Sequence, residues 1–325
     1  MSSPRLDDAT FTAAVAAAVR APSLHNSQPW RFRRNGDAME VWADPARQLP
    51  TADPGGWAVR IACGAAALNL RLALAVRGHP ARMELLPDRG QPHLLIRLSP
   101  APARPASPEE TALAAVIERR QSNRSPFADA PVSLPQQAAL TSAAHSESAD
   151  LVIVTGRRAT ADVADLTRAA DSVLRGKPGY TGELLTWTRP DSAATDGVPI
   201  AAGGPAPAPH ELLARRDFGG APAAEHRRYE DQPLVAVLSS FGDTPRDQLI
   251  AGVALQRVLL TATRIGLAVS MLSQPIEVPG VRAQLQDVLG RISVPQMVLR
   301  IGFAVPGPRT PRRPAESVID DLAAN

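Results

Sequence analysis

The chain has 325 residues, of which 44% are hydrophobic, which suits a globular protein of two ordinary domains or one large one, since a domain usually takes about 100 to 200 residues. Its net charge of +3 and isoelectric point near 9.7 do not recommend nucleic acid, because acidic residues are scattered among the basic ones and no basic patch forms. No apolar run approaches the roughly 18 uncharged residues of a membrane helix, the N-terminus lacks the features of a signal peptide, and the single cysteine, Cys63, permits no internal disulfide or cysteine metal cluster. A cytoplasmic protein without nucleic-acid or membrane partners is the simplest expectation.

In chain order, Phe11, Val15 and Val19 recur every fourth position behind Asp7 or Asp8, which predicts a capped helix. The helix runs into "APSLHNSQPWRF" (21–32), which offers a hydroxyl, an imidazole and two amides where one Gly or Asn would end a helix. "WRFRRNGDAMEVWA" then places Asn35-Gly36 between two strand-like runs, a hairpin signal. A long apolar helix over 56–77, ended by Gly78, precedes the strand-like "ARMELL" and "HLLIRLS" and the Pro-rich linker "SPAPARPASP" at 99–108.

Beyond the linker the order partly recurs: helices over 108–120, 134–145 and 160–175 around the strand "DLVIVT", then the strand "PLVAVLSSF", helices over 245–265 and 280–290, and the strand "PQMVLRIGF". Residues 176–232, rich in Pro, Gly and Ala, interrupt this series and are too long for a passive connection, so they form an active-site lid or are disordered. "GAAALNLRLALAVRG" (64–78) and "GVALQRVLLTATRIG" (252–266) open and close on Gly at the same length and lie on the long helix of each half. This echo favours an α+β unit present twice, its copies packed as an intramolecular pseudo-dimer, with halves at 1–100 and 101–325.

Two arginine-bearing segments complete the pattern. In "RRQSNRSPF" (119–127), Arg120, Ser122 and Arg124 alternate, which on an extended or helix-ending segment sets two guanidinium forks and a hydroxyl on one side, a cradle for a phosphate monoester. The alternative is a solvated basic helix end. The C-terminal "GPRTPRRPAESV" again clusters arginines and by itself reads as a surface tail. Arginine supplies every basic residue but Lys177, which weakens any argument from one arginine.

Other candidates have plainer readings. The six histidines show no metal-ligand spacing, so no metal is expected. His25 is read as a loop hydrogen-bonding group ahead of a proton donor, Cys63 as buried and inert, and Trp42, Trp57 and Trp187 as core or lid packing. No glycine fingerprint follows a strand and no nucleophile elbow is present, which argues against a Rossmann site and a serine hydrolase.

Taken together, the loop, the phosphate-type segment and the tail resemble the nitroreductase family of flavin proteins, in which a P-S-x-x-N-x-Q-P-W segment lies against the flavin ring and an R-x-S-x-R segment holds the FMN phosphate. The resemblance implies that Pro22, Ser23 and Asn26 contact the isoalloxazine, with Gln28 and Trp30 shaping the loop. Arg120, Ser122 and Arg124 would hold phosphate and ribityl, with Arg312 or Arg313 as a further phosphate ligand. The segment after "TATRIGLA" would bring Met271, Leu272, Ser273 and Gln274 to the ring edge. Here the ring motif precedes the phosphate motif, which is similar to the Acg group, in which two fused nitroreductase-like halves carry one flavin site under a lid; 176–232 matches that lid in position. A monomer is then possible.

The function this implies is an oxidoreductase taking hydride from NAD(P)H onto FMN and reducing a nitroaromatic, quinone or similar small acceptor, with no side chain an obvious general acid. A lid-covered FMN-storage protein with little turnover is the alternative, and flavin chemistry on one dedicated metabolite is a third.

Overall fold

The computed structural model describes residues 6–190, 193–207, 211–221, 230 and 233–320. Helix α1 (Asp8–Ala18) starts on Asp7, whose carboxylate accepts from the Thr10 N–H, and the expected hairpin follows as β1 (Trp30–Asn35) and β2 (Ala38–Ala43), with Gly36 left-handed at the turn. Next come α2 (Trp57–Ala75), β3 (Ala81–Leu85), β4 (Leu94–Pro100) and α3 (Pro108–Ala114). The helix expected over 108–120 stops at Ala114 as an α-helix, and residues 115–119 continue as turns with tightened i→i−3 bonds.

The chain continues through α4 (Leu134–His145), β5 (Asp150–Ile153), α5 (Arg157–Gly176), α6 (Tyr180–Thr186), β6 (Thr188–Arg189), β7 (Val198–Pro199) and α7 (Ile200–Gly203). It closes with β8 (Leu234–Ser240), α8 (Pro245–Arg264), β9 (Ala268–Leu272), α9 (Gln274–Glu277), α10 (Pro279–Val288) and β10 (Val294–Gly302). The sequence reading assigned no strand to β9.

The fold is α+β. Two four-stranded antiparallel sheets form, one ordered β1-β2-β4-β3 and the other β5-β8-β10-β9. In each, the strands taken in chain order stand first, second, fourth, third, and a long helix joins the second strand to the third: α2 in one, α8 in the other. The second sheet differs where the first has its two-residue turn. Between β5 and β8 lie α5, α6, α7 and the irregular segments around them.

The first sheet packs one face on helices, Val41 and Ile96 clustering with Val15 and Leu70, whereas the second is covered on both faces, Leu238 and Leu299 clustering with Leu140 and Leu255, and Val235 and Val237 with Val163 and Leu285. The two long helices pack against each other. A Cβ on Gly64 would stand 2.3 Å from the Leu249 carbonyl oxygen, and one on Gly252 would stand 2.3 Å from that of Ile61. Each contact is the other moved to the equivalent position, so α2 and α8 cross backbone to backbone at the glycines that open the two echoed segments. By length and mean hydropathy, α2 could cross a membrane, but 89% of its apolar window is buried here as the central core helix.

Candidate functional site

The loop after α1 has a backbone that ordinary residues avoid. His25, Asn26 and Gln28 have φ of 52°, 54° and 53°, in the left-handed region that costs a non-glycine residue about 1 kcal/mol or more. Side chains within the loop and packed on it hold this shape. Ser23 Oγ accepts from the Gln28 N–H at 2.9 Å. Asn26 donates to the carbonyls of Gly197 and Pro311 at 2.8 and 3.0 Å and accepts from Arg312 at 2.9 Å. Gln28 donates to Thr195 O at 2.9 Å and accepts from the Arg313 N–H at 2.9 Å. The two amides therefore tie the insertion and the tail to the loop, and neither lines the cavity beside it.

That cavity is partly open to solvent, with about 720 Å³ free of protein atoms when the open part is included. Pro22, Ser23 and His25 give one edge, and the first turns of α2 (Trp57, Ala58 and Ile61) give an apolar wall with Leu255 and Met297. Met271, Leu272, Ser273 and Gln274, at the end of β9 and the start of α9, give a second edge, and Arg215, Arg216 and Phe218 of the stretch between β5 and β8, with Arg124, also line it. Trp57, expected only to pack, thus stands in the cavity wall, its indole N–H donating to Gln296 at 2.7 Å. Trp187 does pack: the guanidinium groups of Arg47 and Arg189 lie 5.3 and 5.9 Å from its ring.

Beside the cavity lies a buried cationic group. Arg120 Nη2 donates to Arg20 O and Arg312 Nη2 to Ala21 O, both at 3.1 Å, so two guanidinium groups meet the carbonyl-rich C-terminal end of α1. Arg120 Nε and Nη1 and Arg312 Nε are buried without a hydrogen-bond partner among the described residues. Burial, then the neighbouring Arg124, pushes Arg120 down to about 10. Arg312 is pushed well down by burial and then by Arg120, Arg20 and Arg124, every charge acting on it being another arginine. Arg124 is likewise lowered to about 10, first by burial and then by Arg216 and Arg215.

The sequence could not separate Arg312 from Arg313; geometry does. Arg313 turns toward Asp44 at 3.8 Å and away from the cationic group. Ser122 sits in a bridge to Val269, and of Arg120, Ser122 and Arg124 only Arg124 lines the cavity. Arg120 stands against the end of α1, and Arg124 donates to Ala202 O at 3.0 Å.

Arg216 and Phe218 were missed, since nothing in a Pro-, Gly- and Ala-rich tract marks them. Arg216 is buried and donates to His25 Nε2 at 2.7 Å, Tyr180 Oη at 2.8 Å and Ser273 Oγ at 3.1 Å, and it pairs with the buried Glu277. Burial alone would lower its pKa, but Glu277 and Tyr180 outweigh that and raise it. His25 is held well below the usual imidazole range, first by burial and then by Arg216 and Arg124, and is neutral at physiological pH. Cys63 is buried and pushed upward by burial, far from reactive thiolate behaviour.

No family profile matches the chain. Among curated proteins it is 32% identical to acg of Mycobacterium tuberculosis H37Rv, covering 94% of this chain and 93% of that protein, and 32% identical to Rv3131 of the same strain, covering 97% and 92%; both are assigned by name to the NAD(P)H nitroreductases. Among solved structures, an FMN-bound nitroreductase from Desulfitobacterium hafniense matches with a TM-score of 0.41 at 14% identity, covering 65% of this chain and 98% of that one. With relatives this similar over nearly its whole length, the chain, an α+β protein, belongs to the nitroreductase family of acg and Rv3131.

Proposed function

We propose that the chain binds one FMN in this cavity and works as an oxidoreductase that uses NAD(P)H to reduce a small acceptor such as a nitroaromatic or quinone. The observation that carries this reading is the buried cationic group at the cavity's flank. Isolated buried charge costs several kcal/mol, and Arg120 and Arg312 keep N–H groups without partners, so an anion with several acceptor oxygens fits the place. The donor set suits a phosphate monoester, and an apolar wall of Trp57, Ala58 and Ile61 in one cavity with the polar Ser273 and Gln274 suits a flat ring with one polar rim. These residues fit FMN.

When bound, FMN supplies the hydride-accepting and electron-donating chemistry. The side chains hold and orient it. Arg120 and Arg312 fix the phosphate, with Arg124 at the passage to the cavity; the end of β9 meets the ring's polar edge; and the insertion excludes water. The shared strand order and the reciprocal glycine crossing support the reading of two fused halves, 1–100 and 101–325, that take the places of two subunits.

A storage role keeps one specific observation in its favour: Arg216 and Phe218 of the insertion line the cavity and Arg216 is bonded to both of its edges. Two measurements test the proposal. Replacing Arg120 and Arg312 together by Ala should abolish retention of FMN on purification, and a double variant that stays fully yellow rules the cradle out. Anaerobic addition of NADPH or NADH should bleach the flavin of the wild-type protein within seconds; a flavin that stays oxidised, and bleaches only when about residues 180–228 are deleted, favours storage.

A further inference from the structure

His25 carries a feature that the loop's architecture does not use. Its Nε2 lies 2.7 Å from Arg216 Nη1. Arginine can only donate, so Nε2 accepts, and the ring's proton resides on Nδ1. That Nδ1 is buried and has no partner among the described residues. The ring lines the cavity, stands edge-on to Phe218 with centroids 6.2 Å apart and planes at 86°, and springs from a left-handed backbone at φ 52°. Three independent constraints thus fix an imidazole whose remaining donor is unsatisfied, an arrangement that leaves a desolvated N–H uncompensated unless a ligand acceptor meets it.

We propose that the Nδ1–H of His25 donates a hydrogen bond to an uncharged acceptor atom, a carbonyl oxygen or ring nitrogen, of a molecule held in the cavity, and that Arg216 is the positioning residue that sets this tautomer. The inference rests on the reading that the cavity takes FMN. The acceptor atom belongs either to the flavin edge or to the carbonyl of a second substrate. The chemistry of recognition is the same for both, and no proton is transferred.

The test uses the full chain loaded with FMN. In protein labelled with nitrogen-15 at histidine, the His25 signals are those lost in His25→Asn; an Nδ1–H tautomer whose Nδ1 shift moves on adding FMN, or on adding duroquinone to the FMN-loaded protein, is expected. His25→Asn keeps a donor near Nδ1 and tolerates left-handed backbone, whereas His25→Gln keeps only a group near Nε2. His25→Gln should weaken binding about 5-fold, the weight of one hydrogen bond, and His25→Asn should restore it to within about 2-fold. If the change is in the dissociation constant of FMN and in its absorption band, the flavin is the acceptor. If FMN is unchanged and duroquinone binding weakens, the second substrate is.

An Nε2–H tautomer, an Nδ1 shift that neither ligand moves, or equal FMN and duroquinone binding in wild type and both variants overturns the proposal. Should His25→Gln fail to fold, the tautomer and the shifts in the wild-type protein decide. A wild-type chain that does not bind FMN at all instead overturns the function proposed above, and that result is separate from one in which FMN binds normally with Nδ1 unmoved.

Discussion

Asp53 shows how a single residue near the cavity wall is held against its own preference. Its carboxylate accepts from the Val59 N–H at 3.0 Å, within the first turn of α2 that also supplies Trp57 and Ala58 to the wall. Burial is the largest influence and pushes its pKa up from 3.8 to about 6, with nearby Glu277 adding to the rise and the N–H groups of Ala58 and Val59 and the charge of Arg60 opposing it. A carboxyl whose folded value lies above its unfolded one binds its proton more tightly when folded. Its contribution to stability is therefore fully present below about pH 4 and is lost as pH rises through 6. Asp53→Asn keeps an acceptor for Val59 and removes the charge. Urea midpoints measured from pH 4 to 7 should show the wild type losing stability relative to Asp53→Asn across that window; parallel curves would mean that Asp53 is solvated. The same tension runs through His25, Asn26 and Gln28, where left-handed backbone persists because partners at Gly197, Pro311 and Arg313 hold it.

Among the elements, the crossing of α2 and α8 sets how closely the two long helices approach. Two helices approach backbone to backbone only where both lack a Cβ, and Gly64 and Gly252 meet that condition reciprocally. Beyond the crossing, Gln256 donates to Asn69 at 2.7 Å and Asn69 to Ala17 O at 2.9 Å, linking α8 to α2 and α2 to α1. Gly64→Ala would set a methyl carbon 2.3 Å from the Leu249 carbonyl oxygen, so the helices must separate. Despite alanine's higher helix propensity, thermal unfolding should report a loss of about 1–3 kcal/mol, the usual cost of overpacking. Because Gly64→Ala and Gly252→Ala strain one contact, the double variant should lose clearly less than the sum of the two. Strict additivity would show that the crossing does not act as a unit.

At the scale of the molecule, the stretch between β5 and β8 contributes Arg215, Arg216 and Phe218 to the cavity lining and is held by contacts to distant parts of the chain. Asp196 pairs with Arg47 and Arg189, Gln28 binds Thr195 O, Arg216 spans His25 and Glu277, and Glu230 accepts from the Phe127 N–H at 2.9 Å and lies 3.2 Å from Arg300. Removing one partner of a buried ion pair is far more damaging than removing both, because a lone buried charge remains. Arg216→Ala should therefore loosen the segment 211–219, seen as hydrogen exchange at its amides at least about 10-fold faster. Adding Glu277→Gln should recover much of that protection. If Arg216→Ala leaves exchange unchanged, the insertion is held by its other contacts alone.

By itself the sequence determined much of this. Periodicity and capping located α1, an apolar run ended by Gly78 located α2, Asn35-Gly36 marked the hairpin, and the echoed segments marked the two long helices, because such signals are written in neighbouring residues. The motif residues Pro22, Ser23, Met271, Leu272, Ser273 and Gln274 do come to one cavity. Only the tertiary structure decided the rest. It turned Asn26 and Gln28 to the insertion and the tail, chose Arg312 over Arg313 for the buried cationic group, left Ser122 off the cavity, set Trp57 in its wall and brought Arg216 against His25 across 191 positions of sequence. Which of several identical guanidinium groups loses its water and its counter-charge depends on burial and on neighbours distant along the chain, and no local pattern of residues encodes either.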